Sequence, residues 1–263
     1  MRQRRIVLWF GILCVGFWGV SHAADGQAPA GKLVAGAGEQ LMALANASRA
    51  QTGAGALEWD EGLAAAAREH CLRMAAEGPI SHRYGGEDDL STRAGNAGAH
   101  FDFVEENVAI GPTPAEIHEE WMHSPGHRSN LLNPEVDRVG IAVVAARGVL
   151  YATADYARGV KALTQAGVEA RVASLIRESG LTILTDNAQA REACATDHGL
   201  PAAQGLLRPG FIMRWQDSGM DQLPPQLTEK MASHAYHRAA VGSCPAQGLE
   251  GSFTAYRVAV LLY

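Results

Sequence analysis

Val139-Gly140-Ile141-Ala142-Val143-Val144-Ala145-Ala146-Arg147-Gly148-Val149-Leu150-Tyr151-Ala152-Thr153-Ala154-Asp155-Tyr156 is the stretch that decides the fold class. Two strand-like runs, Val139–Ala145 and Val149–Tyr156, flank Arg147-Gly148, a hairpin signal. Upstream the period is helical. Leu41, Leu44, Ala45 and Ser48 recur at helical spacing until Gly53 and Gly55 stop them, and Leu57-Glu58-Trp59 reads as a short extended piece. Asp60 is an N-cap for a helix to Glu77, with Leu63, Ala67, His70 and Met74 on one face and Gly78-Pro79 ending it. Ile80 to Phe103 holds a Gly-Gly pair and few periodic apolar residues, which predicts a long functional loop with one short helix near Leu90. Thr113 or Pro114 opens a helix through Ile117 and Trp121, broken by Ser124-Pro125-Gly126. Helices first and an antiparallel hairpin last predict an α+β layered fold.

The chain has 263 residues, 47% hydrophobic and 19% charged, a globular balance that argues against disorder, collagen-like repeats and coiled coil. Arg2, Arg4 and Arg5 precede an apolar run from Ile6 to Val20, closed by Ser21-His22-Ala23. That order predicts a secretory signal peptide over residues 1–23, with a run too short to span a bilayer comfortably. Cys14 lies inside the run without lipobox residues, so no lipoprotein is expected. Cleavage would take the net charge from −6 to −9 by removing three Arg. Such a chain lacks the basic footprint of a nucleic-acid binder or of a protein held on anionic lipid by charge. No later segment reads as a membrane span, so a secreted or periplasmic protein with no transmembrane anchor after cleavage is expected.

Export changes the meaning of the cysteines. Cys71, Cys194 and Cys244 remain, and the simplest arrangement in an oxidising compartment pairs Cys194 with Cys244 and leaves Cys71 buried on a helix. Residues 24–37, rich in Ala, Gly and Pro, read as a linker, 38–158 as the first domain and 159–263 as a smaller α/β accessory domain. In the latter Val168, Val172, Leu175 and Ile176 form a helical stripe closed by Gly180, and Asp186 caps a short helix containing Cys194. Phe211–Trp215 reads as a strand, Leu227, Met231 and Ala235 as a third helix, and Phe253–Tyr263 as a terminal strand. This order partly repeats that of the first domain.

Several motifs of the first domain carry a family resemblance. Leu44-x-Asn46-x-x-Arg49-x-x-x-Gly53 is followed by Leu57-x-Trp59-Asp60-x-x-Leu63, Ser81-His82 and Glu106-Asn107-Val108-Ala109. Then come Trp121-Met122-x-Ser124-Pro125-Gly126-His127-Arg128-x-Asn130-Leu131-Leu132, Val139-Gly140 and Tyr151–Ala157. In this order and spacing they resemble the bacterial branch of the CAP superfamily, the cysteine-rich secretory, antigen 5 and pathogenesis-related 1 proteins. The resemblance implies an α-β-α sandwich and an extracytoplasmic location. It leaves open whether the C-terminal domain is a degenerate CAP-like copy, which would lack counterparts of Ser81-His82, Glu106-Asn107 and Gly126-His127-Arg128.

His82, Glu106 and His127 are the candidate metal ligands, each expected on a loop or at an element end. Two imidazoles and a carboxylate suit zinc or another divalent metal and leave a position for water. The resemblance implies a cleft lined by two His and two Glu, and places His82, Glu106 and His127 in three of the four positions. The fourth is Ser124, which weakens any two-carboxylate mechanism. Asn107 and Arg128 complete the expected cleft. The resemblance also permits a lipid such as a sterol or fatty acid, which no residue here singles out. A plainer reading has Glu106 accepting backbone N–H bonds, His127 fixing its turn and Arg128 pairing with Asp155 or a helix carboxylate. The sequence therefore carries three functional readings: a cleft that binds a divalent metal or small ligand, a metal-dependent hydrolase, and a structural or protein-interaction module.

Overall fold

Arg147 and Gly148 both adopt positive φ, 51° and 79°, as a tight two-residue hairpin turn requires. They join strands Arg138–Ala146 and Val149–Gly159 in register from Ala146 opposite Val149 to Arg138 opposite Ala157. The computed structural model describes residues 31–199, 207–248 and 252–263. The signal-peptide reading of residues 1–23, Cys14 included, lies outside them.

The first unit runs β1 (Lys32–Leu33), α1 (Ala37–Thr52), β2 (Glu58–Trp59), α2 (Glu61–Glu77), α3 (Leu90–Asn96) and β3 (Phe101–Gly111). It continues with α4 (Pro114–His123), α5 (Pro125–Leu132), β4 (Arg138–Ala146) and β5 (Val149–Gly159). Its sheet has the order β1-β4-β5-β3, and β2 lies parallel to β4. Because side chains alternate across a strand, Ile141 and Val143 pack with Leu41 of α1, Trp121 of α4 and Leu131 of α5. Ala142 and Val144 face the other way, onto Ala67, Cys71 and Met74 of α2. The sheet is thus sandwiched between helices, as expected. Gly140 permits the close approach: a Cβ there would overlap the Leu63–Ala64 backbone of α2.

The second unit runs α6 (Gln165–Glu178), β6 (Thr182–Ile183), α7 (Ala188–Ala195), β7 (Phe211–Asp217), α8 (Pro225–Ala232), β8 (Arg238–Cys244) and β9 (Tyr256–Leu262). Its strand order is β6-β8-β9-β7, with β6 parallel to β8 and the other pairs antiparallel. Cys194 of α7 is bonded to Cys244 of β8 with Cα atoms 5.8 Å apart, and Cys71 is free and buried, as expected. Burial pushes the Cys71 thiol up to about 12, which leaves it inert.

Several boundaries differ from the sequence reading. Lys32–Leu33 pairs with β4 and α1 starts at Ala37, so the predicted 24–37 linker is ordered sheet and helix at its end. Phe101–Gly111 is a strand, unrecognised because Glu105-Glu106-Asn107 interrupts its apolar alternation. Pro125–Leu132 is a helix with Pro at its first position, where a missing N–H costs nothing. Arg238–Cys244 is also a strand; α8 stops at Ala232 rather than reaching Ala235, and β9 begins at Tyr256 rather than Phe253. No helix among the described residues is long and apolar enough to cross a membrane.

Arg49 on α1 is fully buried and donates to four carbonyls: Gly55 at 2.6 Å, Leu131 at 3.0 Å, Asn133 at 2.8 Å and Val136 at 2.8 Å. It ties α1 to the turn that carries the chain from α5 into β4. A lysine cannot span this fan of acceptors. Arg49→Lys is expected to lose about 3 kcal/mol of stability in urea unfolding, mostly from carbonyls left unsatisfied; an unchanged midpoint would contradict this role.

Candidate functional site

β3 and β5 pair so that Glu106 stands opposite Asp155 and Asn107 opposite Ala154. Asp155 is wholly buried, and neither of its oxygens has a hydrogen-bond partner among the described residues. Two ionised carboxylates side by side in such a place would repel strongly. Burial first, and the neighbouring Glu106 second, push the Asp155 carboxyl well above the usual carboxylate range. The neutral acid is therefore the favoured form of Asp155 beside Glu106.

The remaining acceptor capacity of Glu106 is used by cationic groups. Arg93 Nη2 donates to Oε2 at 2.6 Å, and His82 Nδ1 lies 2.8 Å from Oε1. Arg93 comes from α3, whose first turn is capped by Asp89 accepting from the Thr92 N–H, and its Nη1 also donates to the His82 carbonyl at 3.2 Å. The loop carrying His82 is held from below by His70 of α2. Nδ1 of that buried ring is 2.7 Å from Glu87 Oε1, and Nε2 is 2.8 Å from the Ser81 carbonyl. Both partners are acceptors that tie the ring between α2 and the His82 loop. Burial alone would raise Glu87, but the bonds from His70 and the Tyr84 N–H outweigh it and lower its pKa.

His127 arrives on α5. Asn107 Nδ2 donates to its carbonyl at 2.9 Å, and Asn130 Nδ2 reaches the Glu106 carbonyl at 3.2 Å and Asn107 Oδ1 at 3.0 Å. These amides hold α5 against β3. His127 Nδ1 is buried without a partner. Burial lowers the pKa of His127 and the charge of His82 lowers it further, whereas the bond to Glu106 raises that of His82. One ring thus favours the cation and the other the neutral base.

The structure pairs His82 with Glu106 and Asn107 with the His127 backbone, but not on the elements expected. Glu106 and Asn107 lie within β3, and His127 and Arg128 lie on α5. Ser124 joins α4 to α5 and accepts the Arg128 N–H through its carbonyl at 2.8 Å, with no side-chain cap bond. Arg128 is exposed and pairs with neither Asp155 nor a helix carboxylate. Sequence reasoning missed Arg93 and gave Asp155 only as a partner for Arg128. The signal for Asp155 was a charged residue within a strand that otherwise reads as core; Arg93 gave none, because an Arg on a short helix usually faces water.

As a ligand set the trio is altered by these contacts. Glu106 orients His82 and is neutralised by Arg93, so its oxygens are already engaged. Among the described residues no group of three or more His, Cys, Asp or Glu is arranged to hold a metal ion. His82 Nε2 and both ring nitrogens of His127 carry no hydrogen bond within the described residues.

Residues 42–156, which contain this whole arrangement, match the profile of the cysteine-rich secretory protein family, CAP. This segment is a CAP domain. The chain is 33% identical over 110 residues to uncharacterized protein YkwD of Bacillus subtilis (strain 168), covering 40% of this chain and 42% of that one. It is also 33% identical over 110 residues to the uncharacterized membrane protein YlbC of the same organism, covering 40% and 31%. The chain therefore spans less than half the length of these curated relatives. Among solved structures, an extracellular protein containing a SCP domain from Bacillus anthracis str. Ames is 27% identical, with 47% of this chain and 40% of that one covered and a TM-score of 0.43. An outer surface protein of Borrelia burgdorferi is 19% identical, with 49% and 98% covered and a TM-score of 0.46.

The proton on Asp155 gives the CAP domain a pH signature. A carboxyl whose pKa is raised on folding supports the native state at low pH, and the support is lost as pH rises through the folded value. Asp155→Asn keeps a donor toward Glu106 but has nothing to lose. Urea unfolding across pH 4–9 should show wild type losing stability relative to Asp155→Asn, at up to ~1.4 kcal/mol per pH unit while the group titrates. Parallel profiles would rule out the buried proton.

Proposed function

We propose that the chain is an exported binding protein whose CAP domain takes a divalent transition-metal ion through His82 and His127. The observation that carries this reading is the division of labour around Glu106. Its carboxylate occupies Nδ1 of His82 and leaves Nε2 to face an ion that displaces its proton, while the His127 ring has no internal partner. A carboxylate behind an imidazole fixes the ring's tautomer and orientation and strengthens it as a ligand. Imidazole nitrogens suit zinc, copper and nickel.

His82 and His127 would hold the ion, Glu106 and Arg93 would hold His82, and Asn107 with Asn130 would hold the α5 backbone that carries His127. A bound ion would supply a localised positive charge able to polarise water or a small anionic ligand. Binding, rather than turnover, is the reading favoured here, since Ser124 stands where a second carboxylate would serve acid–base chemistry. Export rests on the Arg2–Arg5, Ile6–Val20 and Ser21-His22-Ala23 order.

Calorimetric titration of the purified chain with zinc chloride at neutral pH tests the site. One binding event is expected, weakened at least about tenfold by His82→Ala and by His127→Ala, and by ~10-fold in Glu106→Gln through loss of orientation. Equal affinity in wild type and both histidine variants would overturn the reading.

A further inference from the structure

The second unit repeats the topology of the first. Strand order β6-β8-β9-β7 matches β2-β4-β5-β3, with the same parallel pair at one end. The helices intervene at the same points, α6, α7 and α8 standing where α1, α2 and α4 stand. Gly242 of β8 lets α7 approach as Gly140 of β4 lets α2 approach: a Cβ at either would overlap helix backbone, at Ala190–Arg191 and Leu63–Ala64 respectively.

That pair of glycines sets a common register for the two sheets. Gly140 faces Asp155, which faces Glu106; Gly242 faces Ala259, which faces Arg214. The carboxyl pair of the first unit is therefore an alanine and an arginine in the second. The Arg214 guanidinium donates to the carbonyl oxygens of Ala193 at 2.6 Å and Gly199 at 2.5 Å. The place is closed by a self-satisfied side chain.

One connection departs conspicuously from the repeat. β4 and β5 are joined by Arg147-Gly148 alone, whereas residues 245–255 separate β8 from β9. The end of that longer connection leaves its own unit and lands on the first. Thr254 N–H donates to the Phe101 carbonyl at 2.7 Å, and Thr254 Oγ1 accepts the Phe101 N–H at 3.2 Å. Phe253 meets Phe101 edge-on with ring centroids 5.5 Å apart and packs on the cluster of Ala94, Ala99 and Phe101. Ser252 sits over Gly95 so closely that a methyl at Gly95 would overlap its Cβ. Ala94 and Gly95 belong to α3, the helix that delivers Arg93 to Glu106 and to the His82 carbonyl.

We propose that the second unit is a duplicated copy of the CAP fold emptied of its carboxyl pair, and that its Ser252–Thr254 segment is an intramolecular clamp holding α3, and with it Arg93, in the first unit's site. Ser252, Phe253 and Thr254 are positioning residues. They act through α3 and touch none of His82, Glu106 or His127.

Gly95→Ala in the full chain tests the clamp. If α3 needed only its own helical stability, this substitution would be neutral or favourable, because alanine is the better helix former. The clamp predicts the opposite: the new methyl displaces Ser252, and exchange of the Arg93 guanidinium protons, followed by NMR, speeds up by about tenfold or more as α3 loosens. Ser252→Gly added to Gly95→Ala clears the overlap and should return the rate to within about threefold of wild type. Phe253→Ala, which only removes a contact, should also accelerate exchange. Unchanged exchange in both Gly95→Ala and Phe253→Ala would overturn the proposal, and so would a failure of Ser252→Gly to rescue Gly95→Ala. The readout involves no metal ion, so it stands apart from zinc binding at the site.

Discussion

Two carboxyl groups set side by side on neighbouring strands organise the first unit of this molecule. Glu106 and Asp155 are forced side by side by the β3–β5 register, in a place closed to water on the Asp155 side. Only a shared proton and added positive charge make that arrangement tolerable. Burial favours the proton on Asp155. The positive charge comes from Arg93 on α3 and from His82 on its loop, with Nε2 of His70 3.9 Å away. Elements otherwise distant in sequence converge here because one carboxylate must be balanced. Polar groups buried in this way are costly unless every member finds its partner, so the network also fixes a single geometry.

The same constraint explains why one histidine is oriented and the other left unpartnered. His82 is spoken for at Nδ1 and exposed over much of its ring, with 59% of the side chain accessible. His127 is supported only through its backbone, by Asn107 and Asn130, and its ring is free. A site that hydrogen-bonded both rings internally would be a sealed structural knot. The two rings differ in the direction of their pKa shifts for the same reason: the bond to Glu106 dominates at His82, whereas burial dominates at His127.

Much of this was legible in the sequence. The hairpin, the sandwiching helices and the caps at Asp60 and Thr113 follow from local patterns that the structure reproduces. The Cys194–Cys244 bond followed from counting. His82 pairs with Glu106 and Asn107 holds the His127 backbone, yet the chemistry around them was hidden. β3 was unreadable because Glu105-Glu106-Asn107 breaks the two-residue alternation, and the reason for those residues is tertiary: Glu106 answers Asp155 and Glu105 accepts from Asn133. Arg93 and Ser252–Thr254 matter through contacts with partners far off in the chain, which no local period encodes. Repetition of topology in the second unit was only half visible, because the residues that mark the first copy are replaced at the matching positions.

The protonation state of Asp155 can be observed directly. Carbon-13 NMR of the Asp155 side-chain carboxyl, followed from pH 3 to pH 9 in the folded chain, should show the chemical shift of a neutral acid persisting well beyond the range where ordinary aspartates ionise, near 4. A shift that moves to the carboxylate value with an ordinary aspartate midpoint would mean that Glu106 and Asp155 are both charged at neutral pH. The arrangement of Arg93 and His82 around Glu106 would then need another cause.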